Sequence, residues 1–457
     1  MFRRKCGPPL AVAFLFVLAH AASAAEFRAG AAKRVITPEV KPGARVFLAG
    51  FGNNRLATGV HDDLYARCLA LSAGAKPVVL CGVDSIGLFL EDVQKIRERV
   101  AGAQVIVGAT HVHEGPDTMG LWGPALGVSG IDEQYNALVI ERVAEAASEA
   151  VRVLKPARIR VSRYHSPELD GFLNDTRPPV VHDSELVMVS ATDRAGRPIG
   201  TVVNWANHPE ALGSRNTEIT ADYAASLYTR LEERLGGVAV LLIGAIGGMQ
   251  SPLGAKVTDP ATGQPAPANS FRMAELIGRR VADLAAEAVT KSQPVRVTEV
   301  AYRERPVRIP VTNTGYLMAA QAGVFKGRKP MAADAGVSTV VGYLRLGSRA
   351  KPALEAALVP GELYPELSVG GVERYPGADF PEAAIEAALK HMMKAPCRML
   401  IGLANDEIGY IIPKAEWDEK QPWLRNAEKR WYGEVNSVGP EAGPLIADAI
   451  GALMSQQ

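Results

Sequence analysis

The chain has 457 residues, 47% hydrophobic and 22% charged, which is enough for a sizeable core in one to three globular domains. Its formal net charge is +1, and it falls to −2 once Arg3, Arg4 and Lys5 of the basic start are set aside. That balance excludes the basic footprint of a nucleic-acid-binding protein.

The first 25 residues form a unit of their own. The basic start is followed by an apolar run over residues 10–19 and then by Ala21-Ala22-Ser23-Ala24-Ala25. A charged n-region, a short h-region and an A-x-A end make a secretory signal peptide, with cleavage expected after Ala24 or Ala25. The run is too short to span a bilayer, which takes ~20 residues. The mature chain, 26–457, is therefore expected to be exported, either periplasmic or secreted. It keeps Cys68, Cys81 and Cys397, none in a C-x-x-C pair. One disulfide is allowed, but neither a disulfide framework nor a thiolate zinc site is implied.

Short apolar runs over residues 78–83, 105–109, 201–205 and 238–243 predict buried strands. Residues 135–153 and 222–235 read as helices, with Asp222 placed to cap the second. Strands alternating with helices predict an α/β fold: a buried mixed sheet flanked by helices. Past residue 290 the pattern changes. Residues 298–309 read as an exposed strand, 313–350 show no clear period, 380–393 read as a helix and 398–403 as a strand. One catalytic domain is expected, with a smaller C-terminal α+β portion starting near residue 295.

Histidine is scarce, eight in all, so its placement carries information. The strand at 105–109 runs into Thr110-His111-Val112-His113-Glu114-Gly115-Pro116, and the strand at 201–205 into Asn207-His208-Pro209. Ligand sites of α/β folds lie at the carboxyl ends of strands. An H-x-H on extended backbone puts both imidazoles on one side, where each can bind zinc or orient a substrate or a water. The strand at 238–243 opens into a small-residue loop that ends at Gln250-Ser251-Pro252, where Ser251 could bond an amide or act as a nucleophile. It is not in G-x-S-x-G, so an α/β-hydrolase elbow is unsupported. Asp84 and Asp222 are candidates for supporting the histidines, and His61 for shaping the site.

Taken in order, these motifs resemble the neutral/alkaline non-lysosomal ceramidase family. The family's T-H-T-H-S-G-P is matched at 110–116, its second metal histidine at His208, its serine before proline at Ser251, and its P-G-E at Pro360-Gly361-Glu362. Asn405-Asp406-Glu407-Ile408-Gly409-Tyr410 is similar to the segment carrying its zinc-binding tyrosine. The Asp170–Pro178 stretch is similar to its Asn/Arg-rich loop. The resemblance implies a Zn2+ held by His111, His208, Glu362 and Tyr410. It also implies His113 and Ser251 at the substrate amide or the activated water, and Arg177 at the developing oxyanion. The implied activity is amide hydrolysis in ceramide or a related N-acyl lipid. The partner is then a small-molecule or lipid amide, with peripheral membrane contact for lipid access left open. A zinc hydrolase for another ester or amide, and a non-catalytic exported binding protein on the same fold, are the alternatives. Three features depart from the family pattern: Glu114 stands for serine and adds charge near the site, Pro209 stands for glycine, and the C-terminal immunoglobulin-like domain is expected to be absent.

Overall fold

The computed structural model describes residue 2 and residues 26–329 and 336–456, apart from 44 and 75. The signal-peptide reading falls outside the described residues save for Phe2. Eight strands form the path of a nine-stranded sheet. They are β1 (Arg28–Val35), β2 (Tyr65–Ser72), β3 (Val78–Val83), β4 (Gln104–Ala109), β5 (Lys155–His165), β6 (Glu185–Asp193), β7 (Pro198–Trp205) and β8 (Val238–Ile243). The order is β8-β7-β6-β5-β1-β2-β3-β4, with Pro294–Val295 paired to β5. Both terminal pairs, β3–β4 and β7–β8, are parallel, and the pairs between are antiparallel. This is the mixed, buried α/β sheet expected from the apolar runs.

The helices cover the sheet for reasons visible in their sequences. In α1 (Leu90–Arg99) and α2 (Glu133–Arg152) apolar residues recur at helical spacing, and in α2 Val139, Ile140, Val143, Ala146, Ala147 and Ala150 are buried. Asp132 caps α2 by accepting from the Gln134 and Tyr135 N–H groups. Asp222 caps α3 (Tyr223–Leu235) and Ser270 caps α4 (Phe271–Lys291). Among the described residues no helix is long and apolar enough to cross a membrane.

A second, four-stranded sheet follows: β9 (Glu299–Ile309), β10 (Val337–Gly347), β11 (Pro352–Leu358) and β12 (Cys397–Ile401). Leu344, Leu354, Ala356 and Met399 of this sheet pack in one apolar cluster with Leu69, Ile106, Val189 and Leu242 of the first. Within residues 313–350, where the sequence gives no period, lie α5 (Thr314–Gln321) and the whole of β10. The helix expected over 380–393 is a correction: only Leu389–Met392, α6, is helical. The preceding residues lie as a strap on the 414–417 segment. The Asp379 N–H donates to Trp417 O at 2.9 Å, and Glu386 Oε1 accepts from Lys414 N–H at 3.1 Å. These tertiary bonds override helix propensity, and Ile385 stays 49% exposed.

The two ends of the large sheet fold face to face. Gly82 of β3 lies so close to β8 that a Cβ there would sit 2.3 Å from Leu241 O. Gly108 of β4 similarly faces the Leu242 side chain, 3.1 Å from a Cβ. This closure brings the carboxyl ends of β4 and β7 together although they lie far apart in strand order. Gly82→Ala is therefore expected to destabilise the fold by about 1–3 kcal/mol. A urea midpoint equal to wild type would sink that expectation.

Cys68 and Cys81 face each other across β2 and β3 and form a disulfide, while Cys397 is free and buried.

Candidate metal centre

The chain leaves β4 in a turn. The Thr110 N–H donates to Val83 O at 2.8 Å, and the His111 N–H to Ser85 O at 2.9 Å. His111 itself sits at φ 63, so the H-x-H is not on extended backbone as expected. A non-glycine residue in the left-handed region is strained, and such positions gather at functional sites. The imidazoles still converge: the His111 and His113 ring centroids are 5.0 Å apart, and His208 lies 5.1 Å from His111 and 5.6 Å from His113. All three are buried. Their nearest ring nitrogens fall within 4.8 Å of one another, a spacing that fits a shared ion.

Backbone carbonyls fix two of the rings. His111 Nδ1 lies 2.6 Å from Ile86 O, and His208 Nδ1 2.8 Å from Gln250 O. A carbonyl accepts, so Nδ1 carries the proton and Nε2 is left as the donor atom. Both Nε2 atoms face one carboxylate: His111 Nε2 is 3.5 Å from Glu362 Oε1, and His208 Nε2 is 3.0 Å from Glu362 Oε2.

Glu362 is placed by backbone pairing. Glu362–Leu363 runs parallel to Tyr410–Ile411, with Glu362 in register with Tyr410, and the Glu362 N–H donates to Gly409 O at 3.1 Å. A Cβ on Gly361 would lie 2.4 Å from Gly409 O, so this approach requires the glycine of Pro-Gly-Glu. The Tyr410 hydroxyl donates to Met249 Sδ at 3.2 Å and lies close enough to Glu362 to lower its carboxyl. The structure thus brings His111, His208, Glu362 and Tyr410 to one place.

Electrostatics sort the groups. Burial pulls the His111 imidazole down to about 3, so it is neutral, as a metal ligand must be. Burial also acts on His208, but its hydrogen bond to Glu362 and the charges of Glu210 and Glu362 outweigh it and raise the ring. Burial would raise Glu362, yet His111, His208 and Tyr410 hold it below the usual carboxylate range. Glu210 is held down at about 2, with burial overcome by His113, His208 and the Ser251 hydroxyl.

Other expected residues lie elsewhere. Arg177 does not line the cavity described below: its guanidinium pairs with buried Glu434 and donates to Glu416 O at 3.1 Å and Pro178 O at 3.0 Å. The oxyanion contact is therefore not formed, because a counter-ion in the core holds the group. Ser251 does not line the cavity described below; its hydroxyl accepts from the Leu253 N–H at 3.1 Å and helps hold Glu210 down. Asp84 accepts from the hydroxyls of Thr110 at 3.3 Å and Tyr228 at 2.8 Å, so it braces the turn rather than an imidazole. His61 stacks on Phe271 beside Asp62. Glu114 is fully buried, and burial, reinforced by Asp222, pushes its carboxyl well up.

Asp222 is also wholly buried, and burial raises it from 3.8 to about 7 despite the N–H groups of Tyr223 and Leu212 that it accepts from. A raised acid favours the fold fully below about pH 4, and this contribution is lost as pH rises through about 7. Asp222→Asn cannot ionise, so between about pH 4 and about pH 7 wild type should lose stability relative to the variant. Parallel urea midpoints across that window would refute the assignment.

His111, His113, Glu210, Glu362 and Tyr410 line a cavity of about 450 Å³. The rest of its wall is largely apolar and aromatic, including Phe51, Phe89, Trp122, Tyr316, Phe325 and Tyr432. Such a cavity takes an apolar ligand and orients it through few polar groups. The sequence reading missed Glu210 and this aromatic wall. For Glu210 a signal existed, since it stands two residues past His208.

Fold and site together define an α/β protein with a buried histidine–glutamate centre opening on an aromatic cavity. No family model matches the sequence. Two solved structures share the fold. One is the neutral ceramidase from Pseudomonas aeruginosa, 17% identical, with 94% of this chain and 75% of that one aligned at a TM-score of 0.71. The other is a ceramidase complexed with C2, 17% identical, covering 94% and 76% at a TM-score of 0.70. The chain has the neutral ceramidase fold.

Proposed function

We propose that the protein is a zinc-dependent hydrolase that cleaves the N-acyl amide bond of ceramide or a related N-acyl lipid. The observation that carries this is the meeting of two imidazoles, each with Nδ1 on a backbone carbonyl, and one carboxylate, all buried, at the wall of an apolar cavity. The donor set fits the metal: nitrogen and carboxylate oxygen suit zinc better than calcium or magnesium. His111, His208, Glu362 and Tyr410 would hold the ion. When bound, it would supply Lewis-acid polarisation of the carbonyl and activation of water.

The remaining work falls to the chain. The aromatic wall binds the acyl chain and excludes water from it. His113 takes a proton from the attacking water and returns it to the leaving amine nitrogen as the C–N bond breaks. The likeness to ceramidase structures supports a lipid amide over the alternatives. The test is metal content of the purified protein together with turnover on a panel of N-acyl amides, esters and muropeptides. Equimolar zinc with preference for N-acyl amides is expected. Hydrolysis of esters or muropeptides alone, or of nothing, would overturn the substrate or the enzyme.

Export belongs to the same proposal, with 1–25 as the signal and 26–457 as the hydrolase. The Cys68–Cys81 pair supports it, since disulfides persist in oxidising compartments. Amino-terminal sequencing should find Ala25 or Glu26 first. A cell-internal protein beginning at Met1 would refute it.

A further inference from the structure

Three histidines meet at the centre, but only two have the surroundings of a ligand. His111 and His208 give Nδ1 to backbone carbonyls, which turns Nε2 of each toward Glu362. His113 has no such carbonyl. Its Nδ1 lies 3.1 Å from Oε2 of Glu210, a residue 1% exposed that lines the same cavity. The contact is off the axis of an aligned hydrogen bond, as is common before substrate binds. His113 Nε2 and Glu210 Oε1 are buried without a partner.

The ring has little freedom to choose another partner. A Cβ on Gly50 would lie 2.2 Å from His113 Cγ, so the imidazole packs directly on that backbone. Phe51 closes its edge at 4.9 Å, and the Arg55 guanidinium donates to the His113 carbonyl. The Ser251 hydroxyl lies close enough to Glu210 to help hold its carboxylate ionised.

We propose that Glu210 is a positioning residue: its carboxylate, steadied by Ser251, keeps the proton of His113 on Nδ1 and leaves Nε2 as the acceptor facing the substrate. A carboxylate behind an imidazole selects the tautomer and makes the other nitrogen more basic. His113 is thereby the base and not a third imidazole ligand, and Ser251 acts through Glu210 and not as a nucleophile. This deepens the hydrolase reading and rests on it for the identity of the reaction, though not for the tautomer.

The experiment compares Glu210→Gln, Glu210→Asp, His113→Ala and the Glu210→Gln/His113→Ala pair in the zinc-loaded protein. Metal content, kcat and KM are measured on a short N-acyl amide. Nitrogen-15 shifts of His113 are read in the metal-free protein. Wild type should show the Nδ1–H tautomer, and Glu210→Gln should shift it. Glu210→Gln should lower kcat by about 10²-fold with zinc content and KM nearly unchanged. Glu210→Asp should recover part of the loss, and the double variant should be no worse than His113→Ala. The proposal is overturned by an Nε2–H tautomer in wild type, by zinc lost in step with activity, or by additive losses in the double variant. If wild type hydrolyses no amide, the hydrolase reading fails, while the nitrogen-15 tautomer still decides the role of Glu210.

Discussion

Glutamine in place of Glu362 is expected to yield a folded protein that keeps roughly a tenth or less of its zinc after dialysis. Its kcat/KM on N-acyl amides should fall by about 10³-fold or more, since the polarisation lost is worth several kcal/mol at 1.36 kcal/mol per decade. The reason is charge. Glu362 is the one carboxylate facing both Nε2 atoms, at 3.5 Å and 3.0 Å. A neutral amide cannot balance a divalent ion where solvent is excluded, and it turns an NH2 donor toward one of the positions an oxygen now holds. The backbone pairing to Tyr410 does not use the side chain, so the fold should persist. Full zinc and wild-type turnover in Glu362→Gln would remove this residue from the site.

Arg177→Met should behave in the opposite way, losing stability rather than chemistry. The guanidinium is buried against Glu434 between the rings of Tyr364 and Trp431, 5.5 Å and 5.1 Å from their centroids. Removing it strands a buried carboxylate, which costs about 3–5 kcal/mol. Adding Glu434→Gln should restore much of that, because the stranded charge goes with it. Turnover per folded molecule should stay close to wild type. An oxyanion donor would give the reverse pattern: an intact denaturation curve and a loss of about 10²–10³ in kcat.

The contrast between these two residues shows what local sequence encodes. The strands were legible because burial on both faces demands uninterrupted apolar runs, as in Val78–Val83. His111 and His208 were legible because rare imidazoles follow such runs. Glu362 and Tyr410 carry no local mark: what matters is a two-residue pairing across 48 positions, which only the fold creates. The resemblance to ceramidases supplied them. Arg177 was carried over by the same resemblance, but Glu434, 257 residues away, decides its place. The helix expected over 380–393 failed for a related reason, since Trp417 and Lys414 hold that stretch by backbone bonds that no periodicity records.

The pairing of Glu362 with Tyr410 has a temporal consequence. Tyr410 is synthesised 48 residues after Glu362, and its strand locks the glutamate in place. A nascent polypeptide that already holds both imidazole-bearing turns still lacks the clamp. A chain cut short before Tyr410 therefore keeps both imidazoles but not the pairing that fixes the carboxylate between them.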